Sequence, residues 1–470
     1  MAARDRARST PPVEEGLGRY EVTRNACVVC SPLGATIAFA GIERGMTLLH
    51  GSQGCATYIR RYAISHFREP LDVASSSFTE ESTVFGGADR LRLALANLLS
   101  EYRPAFVGVA TTCLAETIGE DAAAVRKALG VVDATSAAAK AASKGKDDPL
   151  VVAVSTPSYR GSHRDGFRAA LRALAEATNP PIAKGPAWSA SSRRASGKGG
   201  SNRPVAVFPA MLSPADLRSL RSDVEAFGLE AIFATDYSDT LDGGPWVEHR
   251  LLPEGGTPVA DLARLGSAVA SIELGAELSP RLSAAAFLEE ASGVPRISLG
   301  LPVGIRATDA LMDALAKLSG RHLPRGLEAE RSRLLDSYVD AHKHVFGKKA
   351  LLYGDVDFVE ALAAFLLEIG MIPVLPEGEG RDFHQAESAA RASAEAGGPI
   401  DLVIGNGKGY KTAVKLGATL VRVGFPIHDR FGGQRVRVLG YGGSQELFDR
   451  IVNALIERKQ DESEVGYTYY

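Results

Sequence analysis

Short apolar segments that alternate with amphipathic helical segments constrain this fold more than any other feature of the sequence. Long helical stretches such as LRLALANLLSEY and GFRAALRALAEA separate the apolar segments. The apolar segments include residues 106–110, 150–154, 205–208, 231–234, 350–353 and 402–404. Such alternation is typical of parallel sheets with helices on both faces. It predicts an α/β fold of three doubly wound, Rossmann-like parallel-sheet domains.

Segments of unusual composition suggest where these domains begin and end. Residues 134–148 are low in complexity, and residues 184–203 are rich in Ser, Gly and basic residues. The second segment is typical of an exposed linker or insertion. The predicted organisation is a flexible tail at 1–19, an α/β domain at 20–183, the linker at 184–203, α/β domains at 204–322 and 325–460, and a tail at 461–470.

Charge and hydropathy exclude several classes of protein. The 470 residues include 53 Lys plus Arg and 56 Asp plus Glu, so the net charge is only −3. A nucleic-acid binder usually has a basic excess, and a membrane span needs about 18 consecutive apolar residues. The N-terminal sequence has no apolar stretch typical of a secretory signal. We therefore expect a cytoplasmic protein that binds neither nucleic acid nor membrane.

The four cysteines are the most informative residues for function. Cys30 lies in the segment CSPLG, and Cys55 ends the segment HGSQGC. Cys113 follows the apolar run FVGVA, and the carboxyl end of a parallel strand is where doubly wound folds present ligand-binding groups. All three are predicted to lie beside turn residues or at a strand end rather than in the middle of a helix. Thiolates are the usual ligands of iron–sulfur clusters.

Other interpretations of these residues remain open at this point. A free cysteine is often only a small buried hydrophobe, and this interpretation applies to each thiol taken alone. Cys27 and Cys30 form one Cys-x-x-Cys, but a zinc ribbon needs a second pair. The segment GNGKGYKT, at 405–412, is similar to a phosphate-binding loop but has Tyr410 where that loop requires glycine. We expect no nucleotide site there.

Taken together, the motifs resemble those of nitrogenase component 1, and of its β-type subunit in particular. The similarity extends from about residue 24 to nearly the end of the chain. The segments that carry it are CSPLGA, HGSQGC, HFREP, FTEESTVFGG, TTCLAETIGED and STPSYRGSH, followed by TDALMDALAKLSG, RVGFPIHDR and LGYGG. The resemblance implies the nitrogenase component 1 fold, with the iron–sulfur site in the first domain.

The resemblance also implies roles for particular residues. Cys30, Cys55 and Cys113 match the three cysteines that hold half of the P-cluster, an eight-iron, seven-sulfur electron relay shared with an α-type subunit. Ser158 matches a serine that ligates the oxidised cluster. Tyr58 matches an aromatic residue near the electron path, although a packed core tyrosine is an equal interpretation. We find no candidate in this chain for ligands of a catalytic cofactor.

The implied partners are an α-type subunit, in an α2β2 heterotetramer, and an ATP-dependent iron–sulfur reductase. Two functions remain compatible with the residues. The first is an electron-relaying subunit of a reductase that acts on dinitrogen or on a methylthio compound, as in the methylthio-alkane reductases. The second is a non-catalytic scaffold subunit for cofactor assembly, which would hold a four-iron cluster. The segment SDTLDGGPWVEHRLLPEGG resembles the scaffold, whereas the three retained cysteines favour the relay.

Overall fold

The protein, described here as a computed structural model, contains three four-stranded parallel sheets with the same strand order. The structure describes residues 26–130, 149–181, 204–376 and 382–463. In each sheet the second strand lies at one edge, followed by the first, third and fourth: β2-β1-β3-β4, β6-β5-β7-β8 and β10-β9-β11-β12. The predicted α/β class with three doubly wound sheets is confirmed. The low-complexity segment, the linker and most of both predicted tails lie outside the described residues.

The first sheet and its helices carry most of the cysteine motifs. In chain order its elements are α1 (Ser31–Ala40), β1 (Gly45–His50), α2 (Gln53–Phe67), β2 (Val73–Ser75), α3 (Glu80–Phe85), α4 (Ala88–Tyr102), β3 (Phe106–Thr111), α5 (Cys113–Thr117), α6 (Ala122–Ala128), β4 (Leu150–Val154) and α7 (His163–Thr178). Buried strands covered on both faces need apolar residues at successive positions, which explains the continuous run in β3. Gly108 lets α1 approach this strand because a Cβ there would meet the ring of Phe39.

The second sheet follows the same pattern. Its elements are β5 (Val205–Phe208), α8 (Pro214–Ala226), β6 (Ala231–Phe233), α9 (Val259–Leu262), a 3₁₀ turn (Leu265–Ser267), β7 (Ala270–Leu274), α10 (Ala284–Ser292), β8 (Arg296–Leu299), α11 (Gly304–Ser319) and α12 (Arg325–Val345). Helix α8 begins where the Ser213 hydroxyl accepts the N–H of Asp216, and Pro214 occupies the first helical position. Both features favour helix initiation at this point.

The third sheet completes the chain. Its elements are β9 (Lys349–Leu352), α13 (Val356–Glu368), β10 (Ile372–Val374), α14 (Phe383–Gly397), β11 (Leu402–Gly405), a 3₁₀ turn (Gly407–Gly409), α15 (Tyr410–Leu416), β12 (Thr419–Arg422), a second 3₁₀ turn (Gly433–Arg435) and α16 (Gly440–Asp461). One buried apolar cluster includes residues from all three sheets, so they share a core. Along the described ranges, no helix is long and apolar enough to cross a membrane.

Helices α1 and α7 cross at two glycines. A Cβ on Gly34 would lie 1.7 Å from the carbonyl oxygen of His163, and a Cβ on Gly166 would lie 1.9 Å from that of Ser31. Neither position can hold a larger residue without moving a backbone. The first turn of α1 is therefore fixed directly against the first turn of α7.

Candidate functional site

Cys30 is the N-cap residue of α1 and lies at the start of this helix crossing. Its backbone is extended (φ −70°, ψ 153°) and forms an antiparallel bridge with Ser162, just before α7. The side chain is only partly buried, yet burial raises the pKa of the Cys30 thiol to about 11, while the N–H of Leu33 opposes the rise. A neutral thiol is thus favoured in this chain alone, unless a positive charge such as a metal stabilises the thiolate.

Cys55 lies in the first turn of α2, where the Ser52 hydroxyl caps the helix by accepting the N–H of Gly54 at 3.3 Å. Ser52 supplies the cap, so the helix begins at Gln53, two residues before the cysteine. Cys55 thus lies beside the turn at the helix start and not in the middle of the helix. Burial and the neighbouring thiol of Cys113 both raise the pKa of Cys55.

Cys113 is the first residue of α5 and follows the carboxyl end of β3, as predicted from its position after the apolar run. Its Sγ accepts a hydrogen bond of 3.3 Å from the backbone N–H of Ser158. The Ser158 hydroxyl in turn accepts the N–H of Ser31 at 3.2 Å. Ser158 therefore connects the Cys113 thiol to the residue that follows Cys30.

The structure brings three of the four cysteines together. Cys30 interacts electrostatically with both Cys55 and Cys113, and these two interact with each other. Within the described ranges, no three His, Cys, Asp or Glu side chains are grouped tightly enough to hold a single metal ion. The three thiols therefore converge at one edge of the first sheet without forming a closed single-ion site.

Cys27 does not join this group. It is fully buried in a separate cluster that contains Tyr353 and Phe383 of the third sheet region. Burial raises the pKa of its thiol to about 12, which makes the reactive thiolate rare at neutral pH. The fold thus separates the two cysteines of the Cys-x-x-Cys segment. The burial of Cys27 fits its interpretation as a small hydrophobic residue.

The loop that is similar to a phosphate-binding loop holds the segment around Cys27. The Asn406 amide donates to the carbonyl oxygens of Cys27 at 2.8 Å and Phe425 at 3.2 Å. The Lys408 ammonium donates to the carbonyl oxygen of Val28 at 3.3 Å. Asn406 and Lys408 thus hold the backbone of residues 27 and 28 of the same chain.

A buried histidine supports the strand end next to the thiols. His50, the last residue of β1, has its Nε2 2.6 Å from a carboxylate oxygen of Glu120 and its Nδ1 3.1 Å from the Ser76 hydroxyl. Burial lowers the pKa of His50, so the ring is neutral at neutral pH. The other oxygen of Glu120 accepts the N–H of Gly87. This network fixes the corner between α3 and α4 against the sheet edge.

Exposed aromatic and apolar side chains lie along the same motifs. Thr79 caps α3, because its hydroxyl accepts the N–H of Ser82 at 3.3 Å. That helix presents Val84 and Phe85, which are 75% and 83% exposed. Tyr159, next to Ser158, is also exposed. Large exposed apolar groups of this kind are typical of a surface that another protein covers.

Tyr58 is not a core tyrosine, because 42% of it is exposed. Its ring lies 4.3 Å from that of Tyr62, which in turn lies 4.7 Å from the ring of His428. Tyr58 also interacts electrostatically with Cys30. The second ring is one helical turn further along α2, but the sequence gave no sign of the third, because His428 is distant in the chain.

Sequence reasoning also missed the Thr112 hydroxyl. Thr112 is fully buried beside Cys113, and its Oγ1 has no hydrogen-bond partner among the described residues. Gly51 permits this packing, because a Cβ there would lie 1.8 Å from that oxygen. The TTC segment was visible in the sequence, but its unpaired hydroxyl is evident only from the tertiary contacts.

Comparisons with known proteins agree on one family. A family profile described as nitrogenase component 1 type oxidoreductase matches residues 30–456. The nitrogenase molybdenum–iron protein beta chain of Methanococcus maripaludis is 33% identical over 459 residues, which cover 92% of this chain and 94% of that protein. The corresponding chain of Clostridium pasteurianum is 33% identical over 470 residues, 96% of each. The solved structure titled "Nitrogenase Cp1 at pH 6.5" has a TM-score of 0.80 at 31% identity, covering 97% of this chain and 98% of that one.

Proposed function

The chain belongs to the nitrogenase component 1 family of oxidoreductases as a β-type subunit, and we propose that it relays electrons through an iron–sulfur cluster shared with an α-type partner. The observation that carries this proposal is the convergence of Cys30, Cys55 and Cys113 at one edge of the first sheet. Thiolates are soft ligands suited to iron–sulfur clusters. A cluster held there would accept and pass on single electrons.

The chain's own residues fit such a group in three respects. The three thiols would supply its ligands from the ends of β1 and β3 and from the start of α1. The Ser158 N–H already donates to the Cys113 Sγ, and hydrogen bonds to ligand sulfurs tune reduction potentials. The Ser158 hydroxyl belongs to the residue whose N–H binds this sulfur.

An α-type partner would complete the site. Three thiols from one chain leave the other side of a large cluster without protein ligands, and these thiols are only partly buried. The exposed Val84 and Phe85 and the half-exposed Tyr58 would lie beneath the partner. In this proposal an ATP-dependent iron–sulfur reductase supplies the electrons. The partner's cofactor then reduces a small substrate such as dinitrogen or a methylthio compound.

The test is anaerobic co-purification with the α-type partner, followed by iron quantification and EPR of the as-isolated and oxidised forms. We expect about eight irons per αβ pair at the interface cluster and an oxidation signal that is lost in Cys113→Ala. Cys27→Ala is the matched control, because it removes a thiol that lies in a different part of the core, and it should retain both the iron and the signal.

A different result would favour the scaffold function. A four-iron signal that survives the removal of two of the three clustered cysteines would contradict a relay cluster held by all three. Loss of iron in Cys27→Ala equal to that in Cys113→Ala would show that the iron content reports general instability of the chain, and the cysteine assignment would then fail.

A further inference from the structure

The first turn of α7 holds the backbone that leads into Cys30. Ser162 is paired with Cys30 across an antiparallel bridge. The N–H of His163 donates to the carbonyl oxygen of Val29 at 2.9 Å, and the N–H of Val29 donates to the His163 Nδ1 at 3.5 Å. The backbone of His163 and its ring therefore bind the same residue, directly before the cysteine.

The other nitrogen of this ring points to the third sheet region. The His163 Nε2 lies 3.4 Å from a carboxylate oxygen of Asp355, and the two side chains are 2% and 7% exposed. Burial lowers the pKa of His163 to about 4, so the ring is neutral at neutral pH. Because Nδ1 accepts from Val29, the single ring proton lies on Nε2, which faces the Asp355 carboxylate.

The next turns of α7 fix this arrangement to all three sheet regions. The Arg164 Nε donates to Asp357 at 2.9 Å, and an Nη of Arg168 donates to the second oxygen of Asp357 at 2.8 Å. Arg168 also donates to the carbonyl oxygens of Pro209 and Leu274 beside the second sheet. Helix α7 is thus a rigid reference for the residues that its first turn contacts.

The thiols of Cys30 and Cys55 depend on the position of α7 to different degrees. Cys30 is the N-cap residue of α1. The first turn of α1 packs against α7 at Gly34 and Gly166, with no space left between the two helices. Cys55 lies on α2 after β1, and no hydrogen bond of the described residues joins it to α7. A displacement of the first turn of α7 would therefore move Cys30 relative to Cys55.

We propose that His163 is a positioning residue that sets the place of Cys30 in the thiol group by bridging the backbone of Val29 to Asp355. The consequence for an iron–sulfur cluster rests on the function proposed above. The effect of His163 on the position of the Cys30 thiol does not rest on that function, because it can be measured in the chain without metal.

The experiment measures the rate at which iodoacetamide alkylates each cysteine of the full chain, freed of iron, by mass spectrometry at constant pH. In His163→Leu we expect Cys30 to react roughly threefold to tenfold faster, the effect of losing one buried hydrogen bond. Cys55 should change by less than about twofold, the scatter of a site whose contacts are intact. His163→Asn retains an acceptor close to the position of Nδ1 and should restore most of the wild-type rate.

His66→Leu provides the matched control. His66 is also fully buried, and its Nδ1 also accepts a backbone N–H, that of Ile427 at 3.0 Å, but it lies far along α2 from Cys55 and does not contact Val29. It should leave the Cys30 rate unchanged. If His163→Leu does not fold, Asp355→Ala removes the carboxylate that the His163 ring faces and carries the same expectation for Cys30.

Three outcomes would overturn the proposal: an unchanged Cys30 rate, an equal acceleration of Cys27, Cys30 and Cys55, or the same selective effect in His66→Leu. A second readout uses the complex with the α-type partner, in which His163→Leu should retain iron but alter the EPR spectrum, and His163→Asn should restore it. If the wild-type complex contains no cluster, the proposed function fails, and the alkylation rates still decide the role of His163.

Discussion

The first and third sheets have the same strand order, yet the residues at their carboxyl ends serve different purposes. In the first sheet, the central strands β1 and β3 lead to the partly buried thiols of Cys55 and Cys113. In the third, the corresponding strands β9 and β11 lead to Asp355 and Asn406, whose side chains bind other parts of the same chain. The same topology places residues at equivalent positions, and the chemistry of those residues decides whether the edge stabilises the chain or is left for a ligand.

This difference follows from burial. Asp355 and Asn406 are almost completely buried, and a buried polar group must find a partner within the protein. The thiols at the first edge carry less polarity, and their positions remain partly open. We therefore expect substitutions at the third edge to cost stability and substitutions at the first edge to cost ligand binding. The predictions below test this contrast, beginning with the largest effect.

Asp357→Ala should cause the largest loss of stability. Asp357 is the buried carboxylate that pairs with Arg164 and Arg168, and its removal leaves Arg168 without its carboxylate and Arg164 with only the more distant Asp355 at 4.0 Å. We expect the free energy of unfolding, measured with urea on the full chain, to fall by about 3–5 kcal/mol. The control Asp89→Ala breaks an exposed pair with Arg92 and should cost less than about 1 kcal/mol. Equal effects of the two variants would refute the special role of the buried pair.

His66 should make stability depend on pH. Burial lowers its folded-state pKa to about 3, below the ordinary value near 6.5, so the unfolded chain binds the proton first. Its contribution is complete above about pH 6.5 and is lost as the pH falls toward 3. Between pH 6 and 4, unfolding free energies of the wild type should fall more steeply than those of His66→Gln by about 1.4 kcal/mol per pH unit. The exposed His249→Gln control should match the wild-type slope, and a wild-type slope for His66→Gln would contradict the prediction.

Asn406→Ala should release the segment that contains Cys27. The substitution removes hydrogen bonds to the carbonyl oxygens of Cys27 and Phe425 and should cost about 1–3 kcal/mol. Hydrogen exchange in residues 26–30 should accelerate. Lys408→Met removes only the longer contact to Val28 and should have a smaller effect. Unchanged exchange in Asn406→Ala would mean that the apolar contacts of Cys27 hold the segment by themselves.

Cys55→Ser should have the smallest effect on stability. Its thiol is partly exposed, so the free energy of unfolding of the chain without metal should stay within about 0.5 kcal/mol of the wild type. Cys27→Ser places a hydroxyl in an apolar core and should cost about 1–3 kcal/mol by the same measurement. A larger loss in Cys55→Ser than in Cys27→Ser would reverse the contrast between a ligand edge and a structural one.

Much of the fold could be predicted because its signals are local. The apolar runs of β3 and β4 and the amphipathic patterns of α4 and α7 are found where the sequence indicates them. Cys113 could be assigned to a strand end for the same reason. The short strands β2 and β10 have three residues each, too few for periodicity to identify, whereas the equally short β6 was indicated by the apolar run at 231–234. Cys55 likewise lies in the first turn of α2, directly after the cap at Ser52 and not in the middle of the helix.

The sequence alone determined the class of fold, the family and the residues capable of binding a soft metal, because these depend on periodicity and on residue type at fixed spacing. Only the tertiary structure decided which cysteines act together. Cys27 and Cys30 are three residues apart in the sequence. Asn406 holds Cys27 in the core of the third sheet region, whereas Cys30 interacts with Cys113 at the carboxyl end of the first sheet. The physical reason is that burial and hydrogen bonding are completed by residues hundreds of positions away, and no local pattern contains them.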